Sequence, residues 1–186
     1  MRTTRYYTAL VVVVLMVMTL SAVAQGPPQV DPKNPVTSYV KTRVGRQTTN
    51  IAAAADAMPA ENYSFKPTEG QQTFGAIVAH IVTSNLRVCQ AIGEQTPPEG
   101  LAALKAEDPK DKLVAGLKQG FDYCKAALDK VDDSKLADQV SVGQNKVARA
   151  VAIITLPIDF ADHYAQMAGY LRAKNILPPS AQPRRP

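Results

Sequence analysis

Apolar residues recur at helical spacing in four segments of this 186-residue chain, and little else in it has a regular pattern. The segments run from about residue 36 to 58, 73 to 92, 109 to 131 and 148 to 174. Only residues 139–142 alternate briefly, which predicts at most a short extended piece. Since a helix with one apolar face must bury it against another element, the pattern predicts an all-α protein, a four-helix bundle.

The fourth segment, from about Ala148 to Lys174, differs from the other three. Its first half is apolar almost all round, which is typical of a buried helix. Pro157 lies within it, removes one backbone hydrogen bond and crowds the preceding turn, so we expect a kink there.

The first 24 residues have the order of a secretory signal peptide. Arg2 and Arg5 precede an apolar run over residues 9–20, and a small-x-small pattern ends at Ala24. A retained membrane anchor is the alternative, but the run is shorter than the ~20 apolar residues that span a bilayer comfortably. We therefore expect cleavage after Ala24, no stable membrane anchor afterwards, and export to the periplasm or the extracellular space.

The remaining chain predicts one domain between two irregular ends. Residues 25–35 are rich in proline and polar residues and are predicted to be a linker, residues 36–177 the helical domain, and residues 178–186 a disordered tail. Loss of two arginines with residues 1–24 lowers the formal charge from +5 to +3. The remaining charges are mixed in sign with no basic cluster among aromatics, which argues against nucleic acid as a partner.

The two cysteines predict a topology as well as a bond. In an exported chain Cys89 and Cys124 are expected to form a disulfide, with two buried free thiols as the alternative. Cys89 lies 15 residues after Phe74, and Cys124 lies 14 residues after Lys110. At ~1.5 Å rise per residue the two are level only if the second and third helices run parallel. A disulfide therefore implies an up-down-down-up order.

The chain has two histidines, and both fall in apolar helical segments. His80 lies in the second segment, and His163 lies in the fourth, four residues after Asp159. This spacing places a carboxylate and an imidazole on one helix face, one turn apart. If His80 joins them, the three side chains have the donor types of a divalent-metal site. The alternatives are a core histidine at His80 and a simple ion pair at Asp159 and His163.

Four stretches of the sequence resemble the DinB-like superfamily. Residues 58–67 resemble the loop before its second helix, residues 74–80 its first ligand helix, and residues 163–172 with 175–180 its final helix and exit. Their order and spacing together cover the chain from about Val36 to Ser180. The resemblance implies the same four-helix bundle.

The resemblance also implies a metal centre. Many members of that superfamily bind a divalent metal through three histidines, one on the second helix and two that are four residues apart on the fourth. His80 and His163 match the first and last of these, while Asp159 stands at the middle position. A carboxylate there still suits first-row divalent ions, so Zn, Ni, Fe or Mn is expected.

Two classes of function follow from the resemblance. One is a metal-dependent hydrolase or thiol transferase acting on a small molecule that the sequence does not identify. The other is a non-catalytic bundle that acts as a binding or stress-associated module. The sequence leaves the oligomeric state open, a homodimer included.

Overall fold

The computed structural model describes residues 30–183 as a bundle of four helices with one small hairpin. The predicted signal peptide, residues 25–29 of the linker and residues 184–186 of the tail lie outside the described residues. No helix within residues 30–183 is both long and apolar enough to cross a membrane. The elements, in chain order, are α1 (Pro35–Ala57), α2 (Phe74–Gly93), α3 (Lys110–Asp129), β1 (Gln139–Val142), β2 (Asn145–Ala148) and α4 (Arg149–Ala173).

Two helix starts show how the sequence sets the boundaries. Thr73 caps α2, as its side chain predicts: its Oγ1 accepts a hydrogen bond from the backbone N–H of Ala76 at 3.1 Å. α1 has no acidic residue in its own first turn. Asp133, from the turn after α3, instead accepts hydrogen bonds from the backbone N–H groups of Val36 and Thr37 at 2.9 and 2.8 Å. A distant part of the chain therefore supplies the N-terminal cap of α1.

Helices α2 and α3 run parallel, as the cysteine spacing predicts. Their starts are adjacent, because a β-carbon at Gly75 would contact Leu113 Cδ1 at 3.5 Å. Their ends are adjacent as well, because a β-carbon at Gly93 would lie 2.7 Å from Ala127 Cβ. Glycine is needed at position 93, where the helices approach too closely for a side chain.

The disulfide lies between these two parallel helices. Cys89 and Cys124 are bonded, with their Cα atoms 5.0 Å apart, and both residues are buried. The loop between α2 and α3 carries the chain back along the bundle, so the two cysteines come level. The structure thus has the pairing that was predicted.

Helices α1 and α4 run in the opposite direction to α2 and α3. Lys110, at the start of α3, donates a hydrogen bond from Nζ to the backbone oxygen of Met58, just after α1. Tyr170, near the end of α4, donates from its hydroxyl to the backbone oxygen of Gln72, just before α2. The predicted all-α, up-down-down-up bundle is confirmed. The largest fully buried side chains in its core are Phe74, Phe160, Ile51, Met58, Ile77, Ile81, Ile92, Leu113, Leu117, Ile153, Leu156 and Met167.

The first half of α4 is not buried all round, contrary to its pattern. One side, with Ile153 and Leu156, faces the core, while Val151, Ile154 and Ile158 remain exposed. Within the described residues α4 packs mainly against α1 and α2, with the hairpin also in contact, and these three side chains lie outside those contacts. The helix continues through Pro157 to Ala173.

Two irregular regions differ from the sequence expectation. The short extended piece has an antiparallel partner, β2, joined to β1 through a turn in which Gly143 takes a positive φ of 62°. The tail is ordered at its start: Pro179–Ala181 form a 3-10 turn, and Ser180 donates its backbone N–H to the Tyr164 hydroxyl at 2.8 Å. The expected disordered tail is therefore wrong for residues 178–183, which this bond and the buried Pro178 hold on the bundle.

Candidate metal centre

The antiparallel packing of α2 and α4 brings both histidines together. His80 on α2 and His163 on α4 have ring centres 5.0 Å apart, with an angle of 72° between their planes. His80 is exposed, whereas the His163 side chain is only 12% exposed. The two residues are 83 positions apart in the sequence, so their meeting depends on the bundle topology and not on local structure.

Asp159 lies one helical turn before His163 and contacts it. The carboxylate Oδ1 of Asp159 is 3.5 Å from Nε2 of His163, an ionic contact longer than an ordinary hydrogen bond. This contact with the carboxylate raises the pKa of His163, and burial opposes the rise. The same contact lowers the pKa of Asp159, again against burial, so the charged forms of both groups support each other.

Asn85 holds the other carboxylate oxygen in place. Its Nδ2 donates a hydrogen bond to Asp159 Oδ2 at 2.9 Å and another to the backbone oxygen of Ile81, also at 2.9 Å. The bond to Asn85 further lowers the pKa of Asp159. Sequence reasoning missed this residue. Its signal was present, since Asn85 is a polar residue on the buried stripe of α2, between Ile81 and Cys89.

One buried polar atom at the site has no partner. Nδ1 of His163 is inaccessible to solvent and forms no hydrogen bond within the described part of the chain. A buried imidazole nitrogen without a partner is costly. Because Nε2, and not Nδ1, contacts Asp159, an ion shared with that carboxylate would bind at Nε2, and Nδ1 would need a separate partner.

Two imidazoles and a carboxylate are donor types that suit a first-row divalent ion, although the three groups do not already surround a common point. With metal–nitrogen distances of about 2.0–2.1 Å, two imidazoles on one ion have ring centres about 5–6 Å apart, which the 5.0 Å separation of His80 and His163 matches. Within residues 30–183, however, no three His, Cys, Asp or Glu side chains are already arranged to hold an ion. The carboxylate of Asp159 is instead engaged by Asn85 and His163.

A cavity lies along the second half of α4. It has a volume of about 660 Å³ and lies between the second half of α4 and the loop before α2, where Gln166, Tyr170 and Gln72 line it. Gln166 follows His163 by one turn and donates a hydrogen bond to Asp162 Oδ2 at 3.1 Å. The size of the cavity suits a small organic molecule. None of the three proposed ligands lines it, and Gln166, whose side chain also raises the pKa of His163, connects it to the cluster.

Comparisons with known proteins agree with this architecture. A DinB-like protein from Bacillus cereus ATCC 10987 superposes with a TM-score of 0.63 at 17% identity, over 75% of this chain and 93% of that one. A DinB-like protein from Bacillus subtilis, YjoA, superposes with a TM-score of 0.59 at 18% identity, over 80% of this chain and 96% of that one. These likenesses establish a common fold.

A comparison of sequences gives the family itself. No curated protein matches this chain. The sequence profile of the DinB superfamily matches residues 43–167, about two thirds of the chain, from the middle of α1 to beyond His163. The chain therefore belongs to the DinB superfamily.

Proposed function

We propose that this protein binds one divalent first-row metal ion through His80, Asp159 and His163 and acts as a metal-dependent hydrolase on a small molecule. The observation that carries the proposal is the meeting of the two histidines, with ring centres 5.0 Å apart, beside a carboxylate. Chance placement of the chain's two imidazoles within contact of each other would be unusual for residues on separate helices.

The roles of the three residues follow from their surroundings. His163 is fixed by its burial and by Asp159, and Asp159 is fixed by Asn85, so these two groups are held in place before an ion arrives. His80 is exposed, which leaves the solvent side of the site accessible. A bound ion would polarise water or a thiol at an open coordination position.

Hydrolysis is the favoured reaction class because of the predicted location. Residues 1–24 have the pattern of a signal peptide, and the buried disulfide between Cys89 and Cys124 suits an oxidising compartment. Thiol transfer, the other reaction class that resemblance to the superfamily implies, depends there on cytosolic thiol cofactors. An exported protein has water in excess and no such supply.

Metal content after reconstitution tests the proposal. Metal-depleted protein is incubated with Zn²⁺, Ni²⁺, Fe²⁺ or Mn²⁺, desalted, and analysed for bound metal per chain. We expect close to one ion per chain for at least one metal, and retention that falls at acid pH because imidazole must be deprotonated to bind. His163→Ala should abolish retention while far-ultraviolet circular dichroism stays unchanged.

Two further variants make the test specific to the cluster. Asp159→His should retain zinc as well as or better than the natural chain, since it supplies a third imidazole. Asp162→Asn is the matched control: it removes a carboxylate three residues away on the same helix, which bonds to Gln166 and raises the pKa of His163, so it separates loss of a ligand from loss of a nearby charge. Equal loss of metal in the Asp162→Asn and His163→Ala variants would show that binding is not at the proposed cluster.

A non-catalytic binding module is the second candidate, and one observation favours it. Asp159 is already satisfied by Asn85 and His163, so the cluster is stable as an ion pair without metal. On this alternative, reconstituted protein retains no metal under any condition, and Asp159→His alone gains zinc binding. The reconstitution experiment therefore distinguishes a metal-binding cluster from a metal-free ion pair.

A further inference from the structure

The outer side of α1 and α4 carries most of the exposed apolar surface of the described chain. Large apolar side chains with substantial exposure number seven within residues 30–183, and five of them lie on this side. We call it the α1/α4 face and define it by those five: Val36 (39% exposed), Tyr39 (48%), Val151 (53%), Ile154 (43%) and Ile158 (65%).

The α4 side of the α1/α4 face lacks the charges that other exposed helix surfaces of this protein carry, and on the α1 side Arg43 lines the groove. Residues 150–158 of α4 include no charged side chain. The only hydroxyl among them, on Thr155, donates to the backbone oxygen of Val151 at 2.8 Å and is thus already paired. By contrast, the outer side of α3 presents alternating lysines and aspartates, as a solvated helix should. A helix that is apolar all round is normally covered all round, and α4 is covered on one side only.

We propose that a second copy of this chain covers the α1/α4 face in a two-fold symmetric dimer. The area supports this occupant. At roughly 150–220 Å² for a fully exposed side chain of these types, the five residues expose about 450 Å² of apolar surface. A standard interface buries about 800 Å² per partner, of which roughly 56–65% is apolar, or about 450–520 Å². The face is thus of the size that one stable dimer requires.

The shape of the face also favours a copy of itself. A groove with a volume of about 680 Å³ runs between α1 and α4, lined by Tyr39, Arg43, Ile154 and Pro157 among others. Ile158, the most exposed of the five, also lines this groove. A two-fold interface pairs the same patch on both chains, so each Ile158 can enter the groove of the other copy. A flat lipid surface would leave the groove unfilled.

Sedimentation velocity over a range from about 1 μM to about 100 μM tests the proposal on the full chain, with the N-terminus determined by mass spectrometry. We expect a dimer, and Ile158→Glu should raise its dissociation constant roughly tenfold or more, because the change places a carboxylate within a largely apolar interface. Val151→Lys is a second variant at another exposed position of the same face. Leu177→Glu is the matched control, since Leu177 is 54% exposed but lies after the far end of α4.

The outcomes separate the alternatives. A dimer that both face variants weaken and Leu177→Glu does not would support the proposal. A natural chain that stays monomeric throughout the range would overturn it. So would a dimer indifferent to both face variants, which would place the interface elsewhere. Co-sedimentation with vesicles of anionic phospholipid by a monomeric chain, lost in Ile158→Glu, would assign the face to a membrane surface instead.

Discussion

Reduction of the single disulfide should remove a large part of the stability of this protein. The bond joins Cys89 and Cys124 across a separation of 35 residues. In the loop-closure description, a cross-link that closes a loop of that length restricts the unfolded chain by about 4 kcal/mol at 25 °C. Since whole domains are stable by only about 5–15 kcal/mol, the oxidised and reduced proteins should differ plainly in any denaturation experiment.

The folded state should nevertheless survive reduction. Helices α2 and α3 are held together over their whole length by apolar packing, with Gly93 against Ala127 and Gly120 against Val82. The bond therefore acts mainly on the unfolded chain, and far-ultraviolet circular dichroism at neutral pH should barely change when it is reduced.

Urea denaturation of the oxidised and the reduced natural chain measures this difference directly. Comparing the same sequence in two redox states separates the cross-link from packing, which a Cys89→Ala/Cys124→Ala variant would alter as well. That variant should be at least as unstable as the reduced protein and insensitive to reductant. A difference under about 1 kcal/mol between the two states, or two thiols alkylated in the unreduced protein, would refute the reasoning.

Four other substitutions test parts of the structure away from the bond. Asn85→Ala should destabilise the metal-free protein by about 1–3 kcal/mol and raise the pKa of Asp159, which NMR titration would detect, because a half-buried carboxylate loses its amide donor. Gly75→Ala should lower the thermal midpoint, since its β-carbon would lie 2.6 Å from a backbone oxygen, whereas Gly169→Ala, in open space within a helix, should raise it. Desolvation raises the pKa of Asp133, but hydrogen bonds from two backbone N–H groups lower it overall below 3.8. The capping carboxylate therefore stabilises the folded protein above pH 3.8, and this contribution is lost as the pH falls through the folded-state pKa. Asp133→Asn should consequently flatten the acid side of a plot of the free energy of unfolding against pH.

The sequence predicts the helical framework well because its signals are local. The apolar spacing gives the four helices, and Thr73 and Pro109 lie at the N-terminal ends of α2 and α3. The parallel order of α2 and α3 required one further fact, the equal depth of the two cysteines. That inference succeeded because a disulfide requires its two cysteines to be adjacent in space, so their positions along the two helices fix the relative direction of the helices.

The features that the sequence did not predict all depend on contacts between distant segments. The cap of α1 comes from Asp133, 97 residues after Val36, and no local pattern indicates it. The hairpin partner of β1 has no alternation strong enough to identify it, since only Val140 of the pair is buried. The start of the tail is held by one hydrogen bond to Tyr164 and by the burial of Pro178, which composition alone cannot indicate.

In the candidate site, too, local sequence predicts some features, while contacts between helices determine the others. Residue types and the four-residue spacing of Asp159 and His163 predict which donors are available, and the bundle brings His80 to them. The spacing does not predict which hydrogen bonds the Asp159 carboxylate forms without metal, because one of them comes from Asn85 on α2. An ion entering this site has to replace the contact between Asp159 and His163, and the energy of that contact opposes binding. Affinity should therefore depend on Asn85 as well as on the three proposed ligands: a variant that frees the carboxylate, such as Asn85→Ala, loses stability without metal and regains part of it when metal is added.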